Sequence, residues 1–491
     1  MKARMRLGDL LLQARIITQE QLEAALEQQA ANGGRIGDLL VAIGALSQGS
    51  LNAFLHRMPT EPGDVAATGI NENDLLALLM KIAYMSHLET LKQFVDVVKL
   101  PYPVVSELVR MAVERLYLRS LGSRDLYSMS EMRYAVTDEG KRFAQEELQH
   151  CRYVGPAPVP LDEFVALVNL QKVTNETITY DRLRGAFGEL TVADRIVEKC
   201  GPALNSGRAM LLYGPPGNGK TSVALSFTSL FNDVIYVPYS VMVEGQIIRV
   251  YDPAYHTLKP AKPADVDDAT ALLRREEYDG RWVPCQRPFI VAGGELTLEM
   301  LDLRFDPNSN TYEAPLHMKA LGGCFIIDDF GRQLVSPTAL LNRWIVPLEN
   351  RIDYLKLHTG KSFTIPFEEL VIFSTNLEPE ELMDAAFLRR LPYKIEVGAP
   401  TREQYREIFQ KEAAKRSMTL PPALFDSIVR KVTEEKGMEL AAYHPRFLVD
   451  QVAATCRFMG QPAHFEPRYI QHAIDNLRVH RKGDVAGAET E

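Results

Sequence analysis

A glycine-rich stretch near the middle of the chain restricts the possible folds more than any other feature. It reads Gly214-Pro215-Pro216-Gly217-Asn218-Gly219-Lys220-Thr221, after the apolar run 208–213 and before 222–230, which lacks glycine and proline. The glycine-rich stretch has the spacing G-x-x-x-x-G-K-[ST], and it lies between a predicted strand and a predicted helix. Such glycines turn backbone N–H groups onto phosphates, the lysine reaches the terminal phosphates and the threonine hydroxyl ligates Mg²⁺. The stretch predicts an α/β nucleotide-binding domain.

Composition limits the alternatives. A chain of 491 residues is expected to form two to four domains. The net charge of −9 provides no overall basic field, so any binding of nucleic acid has to be local. Five cysteines stand far apart without a C-x-x-C pair, which argues against disulfide frameworks and zinc sites. The sequence has no run of about 18 uncharged apolar residues. We therefore expect a cytoplasmic protein without membrane insertion.

Two carboxylates end an apolar run downstream of the glycine loop. Residues 322–329 read Gly-Gly-Cys-Phe-Ile-Ile-Asp-Asp, which is typical of a buried strand. Function in open α/β sheets lies at the carboxyl ends of strands. We expect Asp328 to hold Mg²⁺ through water, and Asp329 to orient or deprotonate the attacking water. A third strand-like run, 370–375, leads to Asn376, whose amide we expect to hold that water beside the γ-phosphate.

The order of motifs over residues 174–479 resembles that of the AAA+ ATPases. Two more segments carry the resemblance: 384–390, Asp-Ala-Ala-Phe-Leu-Arg-Arg, and 444–448, His-Pro-Arg-Phe-Leu. The resemblance implies an α/β P-loop core with a C-terminal helical lid, and ATP and Mg²⁺ as cofactors. The roles that it implies are Walker A at 214–221, Walker B at 325–329, sensor 1 at Asn376, arginine fingers at Arg389 and Arg390, and sensor 2 at Arg446, reaching the γ-phosphate.

The resemblance also implies an assembly. Arginine fingers act on the ATP of a neighbouring subunit, so we expect a homo-oligomer, a hexameric ring closed by head-to-tail contacts. One position departs from the family, because Walker B ordinarily ends in Asp-Glu and Asp329 is one methylene shorter. We expect hydrolysis at this site. A scaffold that holds ATP without turnover is an alternative.

The segment between the two Walker motifs narrows the resemblance. Residues 312–316 and 320–323 resemble the helix-2-insert branch, which includes enhancer-binding activators and chaperone-like ATPases of metal-cofactor insertion. The loop with which activators grip sigma factor, Gly-Ala-Phe-Thr-Gly-Ala, is absent from the sequence. This absence counts against transcription activation.

The first 58 residues contain an internal repeat. Residues 6–12, Arg-Leu-Gly-Asp-Leu-Leu-Leu, align with 35–41, Arg-Ile-Gly-Asp-Leu-Leu-Val, 29 positions later. Apolar spacing, with Thr18 and Ser47 placed as N-caps, predicts two helical hairpins in one small bundle.

The repeated units resemble the N-terminal domain of the secretion and type IV pilus ATPases that bind cyclic di-GMP. Arginines can fork onto phosphate or guanine, and glycines allow close backbone approach. Arg15, Ile36 and Met58 depart from the family pattern, so a docking bundle that has lost the ligand is the alternative. The cyclic di-GMP contacts that the resemblance implies are Arg6, Leu7, Gly8, Gln29, Arg35, Ile36 and Gly37.

A winged-helix-like domain follows. Apolar positions at helical spacing predict one helix up to Pro101 and another after Pro103, then a strand at 132–136 and a capped helix at 137–148. The second helix carries Glu107, Arg110, Glu114 and Arg115, a balanced face. Phosphate contacts need excess positive charge, so a protein contact is favoured. DNA binding stays open because of Arg119, Arg124, Arg133, Lys141 and Arg142.

Together these features predict a ring-forming ATPase that remodels or regulates an unidentified protein client and is controlled by cyclic di-GMP. The alternative is a winged-helix DNA-binding regulator that uses ATP as a slow switch. The predicted domains are a bundle at 1–58, a linker at 59–73, a winged-helix-like domain at 74–153, a Pro-rich linker at 154–173, the nucleotide-binding domain at 174–399, the helical lid at 400–480 and a disordered tail at 481–491.

Overall fold

The structure is a computed structural model. The residues it describes are 7–13, 16–32, 36–47, 51, 58–123, 132–175, 177–231, 233–259, 278–383 and 385–477. Within these ranges no helix combines the length and the apolar character needed to cross a membrane. The predicted tail at 481–491 lies outside the described residues.

The described chain is mixed α/β, as the sequence predicts. Its α-helices are α1 (Leu7–Gln13), α2 (Gln19–Asn32), α3 (Ile36–Ala42), α4 (Glu72–Ser86), α5 (Leu91–Val98), α6 (Tyr102–Glu114), α7 (Asp138–His150), α8 (Leu161–Leu170), α9 (Tyr180–Ala186), α10 (Asp194–Ser206), α11 (Lys220–Ser226), α12 (Leu316–Lys319), α13 (Pro337–Arg343), α14 (Ile345–Asn350), α15 (Pro379–Leu382), α16 (Ala385–Leu388), α17 (Arg402–Lys415), α18 (Pro422–Arg430), α19 (Tyr443–Phe458) and α20 (Pro467–Asp475).

The strands separate into one parallel sheet and several smaller ladders. They are β1 (Leu118–Ser123), β2 (Met132–Val136), β3 (Val159–Pro160), β4 (Met210–Tyr213), β5 (Val234–Pro238), β6 (Ser240–Val243), β7 (Gln246–Arg249), β8 (Trp282–Gln286), β9 (Phe289–Ala292), β10 (Arg304–Asp306), β11 (Thr311–Glu313), β12 (Cys324–Ile327), β13 (Ile352–Lys356), β14 (Ser362–Pro366), β15 (Leu370–Ser374) and β16 (Tyr393–Glu396).

The parallel sheet has the strand order β16-β4-β15-β12-β9. Its strands β12 and β15 are buried throughout because both faces of the sheet are covered. One face packs against α10 and α11 through residues such as Val197 and Val223, and the other against α13 and α14 through Leu340 and Leu348. Because β15 lies between β4 and β12, the ends of these three strands are neighbours.

A separate helical unit follows the sheet. Helices α17 to α20 enclose an apolar core that includes Tyr405, Phe409, Phe425, Leu448 and Ile470. The described part of 400–480, where the sequence predicts a lid, is therefore mainly helical. Its relation to the glycine loop is given below.

The segment between β4 and β12 forms its own sheet structure. Strands β10, β11, β7 and β6 of this segment make a mixed five-stranded sheet with β3, which precedes β4 in the chain, and β5 pairs with β8 in an antiparallel ladder. The strands and hairpins expected from the sequence are therefore present.

Residues 154–173, where the sequence predicts a Pro-rich linker, are packed. Val159 in β3 pairs with Val241 in β6, and α8 follows at once. The Ala157 amide donates to the Val98 carbonyl at 2.8 Å. Proline favours extended backbone in linkers and in edge strands alike, so the composition could not distinguish the two. The segment joins the preceding domain to the insert and does not hold them apart.

Over its described residues, the predicted winged-helix-like region has one more helix and one more strand than the sequence predicts. The apolar run up to Pro101 is two helices, because His87 ends α4 with φ of 50° and Thr90 opens α5 with a capping box to Gln93. Strand β1, not predicted, pairs antiparallel with β2. Thr137 caps α7 as expected, through the Gly140 amide. Helices α4 to α7 share one apolar core.

The repeat folds into short helices. The Thr18 hydroxyl accepts from the Gln21 amide, which confirms the first predicted N-cap. Residues 48–50 and 52–57 lie outside the described ranges, so the second hairpin stays a prediction. A Cβ at Gly8 would lie 2.5 Å from Leu22 Cδ1, and one at Gly37 would lie 3.1 Å from Leu51. Packing between helices by itself explains these two glycines.

Candidate functional site

The glycine loop joins β4 to α11 at the carboxyl end of the parallel sheet. Its three glycines all have positive φ: Gly214 129°, Gly217 78° and Gly219 87°. These values lie in the region that side chains strain. A Cβ at Gly214 would also lie 2.7 Å from the Val397 carbonyl oxygen. The backbone can therefore curl here only because the sequence has glycine at these positions.

Lys220 closes the loop from inside. Its ammonium donates to the carbonyl oxygens of Gly214 and Pro215 at 2.9 and 3.0 Å. Burial lowers the pKa of Lys220, while the carboxylates of Asp329 and Asp328 act in the opposite direction. The ammonium of Lys220 is thus held against the backbone of the glycine loop.

Thr221 connects the loop to the first carboxylate. Its hydroxyl lies 2.9 Å from both oxygens of Asp328, at the end of β12. Hydroxyl and carboxylate oxygens are the hard ligands that Mg²⁺ prefers, and this ion normally takes its remaining ligands from water and phosphate. Among the described residues no group of three or more His, Cys, Asp and Glu could hold a metal by itself. The donor pair fits an Mg²⁺ that arrives with a nucleotide.

The second carboxylate stands next to the predicted amide. Asn376 Nδ2 donates to Asp329 Oδ1 at 3.1 Å, across the ends of β15 and β12. Asp329 has φ of 49°, in a region that Asp tolerates better than most residues. Gln333 donates from Nε2 to the carbonyl oxygens of Asp328 and Asp329 at 2.9 and 3.2 Å. Gln333 thus fixes the turn that carries both carboxylates.

The helical unit at the C-terminus touches the loop directly. The Tyr443 amide donates to the Gly217 carbonyl at 3.0 Å, and the Ala442 amide donates to Asn218 Oδ1 at 3.1 Å. A Cβ at Gly217 would lie 2.3 Å from the Tyr443 ring. Helix α19 therefore begins on the glycine loop. Arg446, one turn later, has a side chain 76% exposed and 3.8 Å from Asp450.

The two predicted arginine fingers lie at the amino end of the parallel sheet, opposite the end that carries the glycine loop. Both precede Tyr393, which pairs with Met210, the first residue of β4, whereas the glycine loop follows the last residue of that strand. Arg389 is exposed, and Arg390 Nε donates to Glu349 Oε1 at 2.6 Å. The structure brings Lys220, Thr221, Asp328, Asp329 and Asn376 together, and leaves both arginines apart from them.

Two comparisons with known proteins bear on the chain. Residues 401–476, the helical unit that touches the loop, match a family model described as a domain of unknown function, DUF8689. The type IV pilus assembly ATPase PilB of Myxococcus xanthus (strain DK1622) is 36% identical over 83 residues. The chain shares this stretch with an ATPase. The stretch is 17% of this chain and 15% of that protein.

The described residues include only some of the predicted cyclic di-GMP contacts. Arg6 and Arg35 lie outside the described residues. Leu7 and Ile36 are buried in the apolar core of the bundle, and Gln29 is half-buried. Of the proposed contacts, the described ones fit helix packing as well as ligand binding, so the cyclic di-GMP site stays a prediction.

Sequence reasoning missed three contacts of the site. These are the Gln333 contact with the carboxylate turn, the Asn218 contact with the lid, and the Tyr443 ring against Gly217. Gln333 follows Asp329 at a spacing without a motif, and Tyr443 stands 226 positions after Gly217. No local pattern in the sequence signals either of them.

Proposed function

We propose that this protein is an AAA+ type ATPase that hydrolyses ATP with Mg²⁺ and acts as a ring on a protein client. The observation that carries the proposal is the contact of Thr221 with Asp328. It joins a phosphate-binding loop to an acidic strand end 107 residues later in the chain. A hydroxyl and a carboxylate next to a loop lysine are what a nucleotide-bound Mg²⁺ requires.

Each residue has a distinct task in this proposal. Lys220 and the loop amides hold the phosphates, and Thr221 and Asp328 hold the metal, which when bound neutralises phosphate charge. Asp329 orients the attacking water or takes its proton. Asn376, 3.1 Å from Asp329, fixes that water through its amide. Reaction rates at such sites depend on positioning, so Gln333 contributes by holding the acidic turn.

Two features favour the AAA+ type. Strand β15, which ends two residues before Asn376, lies between the strand that leads to the loop and the strand that leads to the carboxylates. The helical unit after the sheet contacts the loop through Tyr443 and Ala442. Movement of this lid with the nucleotide would couple hydrolysis to the rest of the chain.

The placement of the arginines supports the ring. Arg389 and Arg390 lie at the amino end of the sheet, and the glycine loop lies at the carboxyl end. Strand β4 separates the two ends by about 10 Å, because three steps along a strand measure about 3.3 Å each. The two arginines can complete a triphosphate site only in another subunit. Head-to-tail contacts that give every site such an arginine must close into a ring, and we propose a hexamer.

Comparing wild-type phosphate release with that of Lys220→Ala tests the activity. We expect a loss of at least ~100-fold, the scale for removing one preorganised charge from such a site. Asp329→Asn should lose turnover and keep nucleotide binding, because it removes only the group that acts on water. Lys361→Ala, a lysine on a surface hairpin, is the control. Equal phosphate release from Lys220→Ala and the wild type would disprove hydrolysis at this site.

For the winged-helix-like domain, the charges favour a protein contact over DNA. Arg110 on α6 is paired with Glu107 and Glu114. A phosphate would have to compete with these carboxylates. Fluorescence anisotropy with duplex DNA at physiological salt should therefore show no tight binding. Binding that is tight and weakens steeply with salt would support the DNA-binding regulator instead.

We also propose control by cyclic di-GMP at the bundle. Calorimetry with the full-length protein should show binding that Arg6→Ala and Arg35→Ala abolish, because the forked guanidinium contacts disappear. If the wild type releases or absorbs no heat on addition of cyclic di-GMP, the proposed binding is refuted. The bundle would then be interpreted as a docking module.

A further inference from the structure

Strand β9 forms one edge of the parallel sheet, and its outer backbone groups have no partner among the described residues. It pairs with β12 alone. The Cys324 amide donates to the Pro288 carbonyl at 2.8 Å, so the even-numbered residues along β9 direct their backbone groups toward β12. Because these groups alternate along a strand, the N–H and C=O groups of Phe289 and Val291 point away from the sheet. No described residue hydrogen-bonds to these outward groups.

The sequence of β9 does not protect this edge. Its four residues, Phe-Ile-Val-Ala, carry no charge, whereas β16 at the opposite edge of the sheet contains Lys394 and Glu396. The edge strand β10 of the mixed sheet contains Arg304 and Asp306. Charged residues on an edge strand hinder pairing with another chain. Strand β9 lacks this protection, and Val291 is 41% exposed.

A groove runs along the outer side of β9. Its volume is about 470 Å³, and its lining includes β9, Thr228 and Phe231 after α11, and residues within 254–259 of the insert. The Phe231 ring lies 6.2 Å from the Phe289 ring, and the Arg287 guanidinium lies 5.9 Å from the Phe231 ring centroid. Both phenylalanines pack in the core between the sheet and its helices, so this part of the groove is preformed.

We propose that β9 binds an extended segment of a partner protein, which pairs with Phe289 and Val291 as a sixth strand of the parallel sheet. The inference goes beyond the proposed function and does not require hydrolysis. The neighbouring strand β12 leads to the carboxylates, and the Asp328 amide donates to the Ala292 carbonyl at 2.9 Å. A segment bound on β9 therefore lies one strand away from the acidic turn.

The backbone and the charge of the groove define the chemistry of this segment. Successive outward N–H groups on β9 are about 6.6 Å apart, two steps along a strand, and an extended peptide backbone matches that repeat. The lining contains Lys259 and Arg287 and neither Asp nor Glu. Arg287 is already paired with Asp233 at 2.5 Å. The remaining charge favours a segment with an acidic side chain opposite Lys259.

The shape of the groove favours a single extended chain over a second copy of this protein. Side chains line the groove on the outer side of β9, and a second copy has the same walls. These walls would collide before the two β9 strands could pair. A single strand has no such walls, and strand addition of this kind needs only an open edge and space beside it.

Fluorescence anisotropy with the full-length protein tests the pairing. The probe is a fluorescein-labelled peptide, Thr-Val-Glu-Val-Thr-Val-Thr, whose β-branched residues favour an extended backbone and which carries one acidic side chain. We expect saturable binding to the wild type. The same peptide methylated at every amide nitrogen should not bind, because it cannot donate to the carbonyls of β9. Equal binding of the two peptides, or no binding of either at ~1 mM, would overturn the proposal.

Substitutions at Val291 test the backbone contact in the protein. Val291→Pro removes an outward donor and leaves the ladder with β12 intact, because proline is tolerated on an edge strand whose N–H faces outward. We expect the probe to bind at least ~10-fold more weakly, whereas Val291→Thr keeps the N–H and should bind within ~3-fold of the wild type. Circular dichroism should show both variants folded. Equal affinities of the two variants would contradict the pairing.

A second pair of variants leaves β9 unchanged. Thr228 is exposed and lines the groove, so Thr228→Trp should fill the groove and abolish binding of the probe, and Thr228→Ser is the matched control. Lys259→Glu should weaken binding of this acidic probe and strengthen binding of the peptide with lysine in place of its glutamate. Unchanged affinity of Thr228→Trp would mean that the peptide binds elsewhere and would overturn the proposal.

Lys220→Ala separates this inference from the proposed activity. It should bind the probe as the wild type does, because Lys220 lies in the glycine loop and does not line the groove. Probe binding that Thr228→Trp abolishes, in a protein that releases no phosphate, would refute the activity and leave the β9 site in place. Phosphate release without probe binding would refute the β9 site and leave the activity in place.

Discussion

Arg281 joins three distant segments of the chain, and replacing it should separate them. Its side chain is 1% exposed. The guanidinium donates to Asp279 at 2.8 Å, to the carbonyl oxygens of Thr68 and Pro158 at 3.0 and 3.2 Å, and to Glu163 at 3.1 Å. These partners lie in the predicted linkers at 59–73 and 154–173 and beside β8. Arg281→Met keeps much of the apolar volume and removes every one of these bonds.

The size of the effect follows from burial. Asp279 is fully buried, and without Arg281 its charge loses its partner. Removing one member of a buried ion pair costs about 3–5 kcal/mol, whereas exposed pairs contribute about 1 kcal/mol or less. We therefore expect the free energy of unfolding of Arg281→Met to be about 3–5 kcal/mol lower than that of the wild type. Arg281→Met with Asp279→Asn should recover part of this loss, because the double variant has no uncompensated charge.

Urea unfolding followed by tryptophan fluorescence is a suitable assay. The chain has two tryptophans. Trp282 donates to Glu163 beside Arg281, and Trp344 lies in the core of the parallel sheet. In Arg281→Met we expect the unfolding transition that Trp282 reports to move to a lower urea concentration. Arg249→Met, which breaks a half-exposed pair with Glu313, is the control. A shift for Arg281→Met no larger than that of this control would refute the reasoning.

Three further predictions concern single residues. Glu369 is fully buried, no other described residue hydrogen-bonds to its carboxylate, and burial raises its pKa well above 4.5. The folded state therefore holds a proton that the unfolded state loses, and stability falls as pH rises above about 4.5. Glu369→Gln should have a higher free energy of unfolding than the wild type at pH 8, and the difference should be smaller at pH 5, in urea titrations. Equal differences at the two values of pH would contradict this. Gly217→Ala should weaken binding of a fluorescent ATP analogue more than Gly245→Ala, since both have φ near 75° but only the first collides with Tyr443. Similar affinities would show that the lid contact does not matter. Asn376→Ala should slow single-turnover hydrolysis by ~10²-fold with unchanged nucleotide affinity, because the amide acts on water and not on ATP. A loss of affinity instead would assign Asn376 to binding.

Much of the site could be predicted from local sequence. Glycines at 214, 217 and 219 are required by the backbone of the loop, and Lys220 and Thr221 follow within one turn of helix. Apolar runs that end in a polar residue marked Asp328, Asp329 and Asn376, because a strand buried on both faces can place polar groups only at its end. These signals are local, and local backbone chemistry is what a single sequence records.

Composition was less informative where one residue type suits several environments. Prolines at 154–160 are compatible with a linker and with an edge strand, and only the pairing of Val159 with Val241 distinguishes them. The apolar period up to Pro101 continued through the break at His87 because both helices bury the same kinds of side chain. The domain boundaries stay predictions.

The sequence by itself determined the conformation of the glycine loop, because a loop's backbone depends on the residues within it. Only the tertiary structure decided which distant groups meet one another. The contact of Thr221 with Asp328, the lid helix that begins on Gly217, and the separation of Arg389 from its own site all depend on strand order and register. Register is set by the packing of the whole sheet against its helices, and no single segment of the chain carries that information.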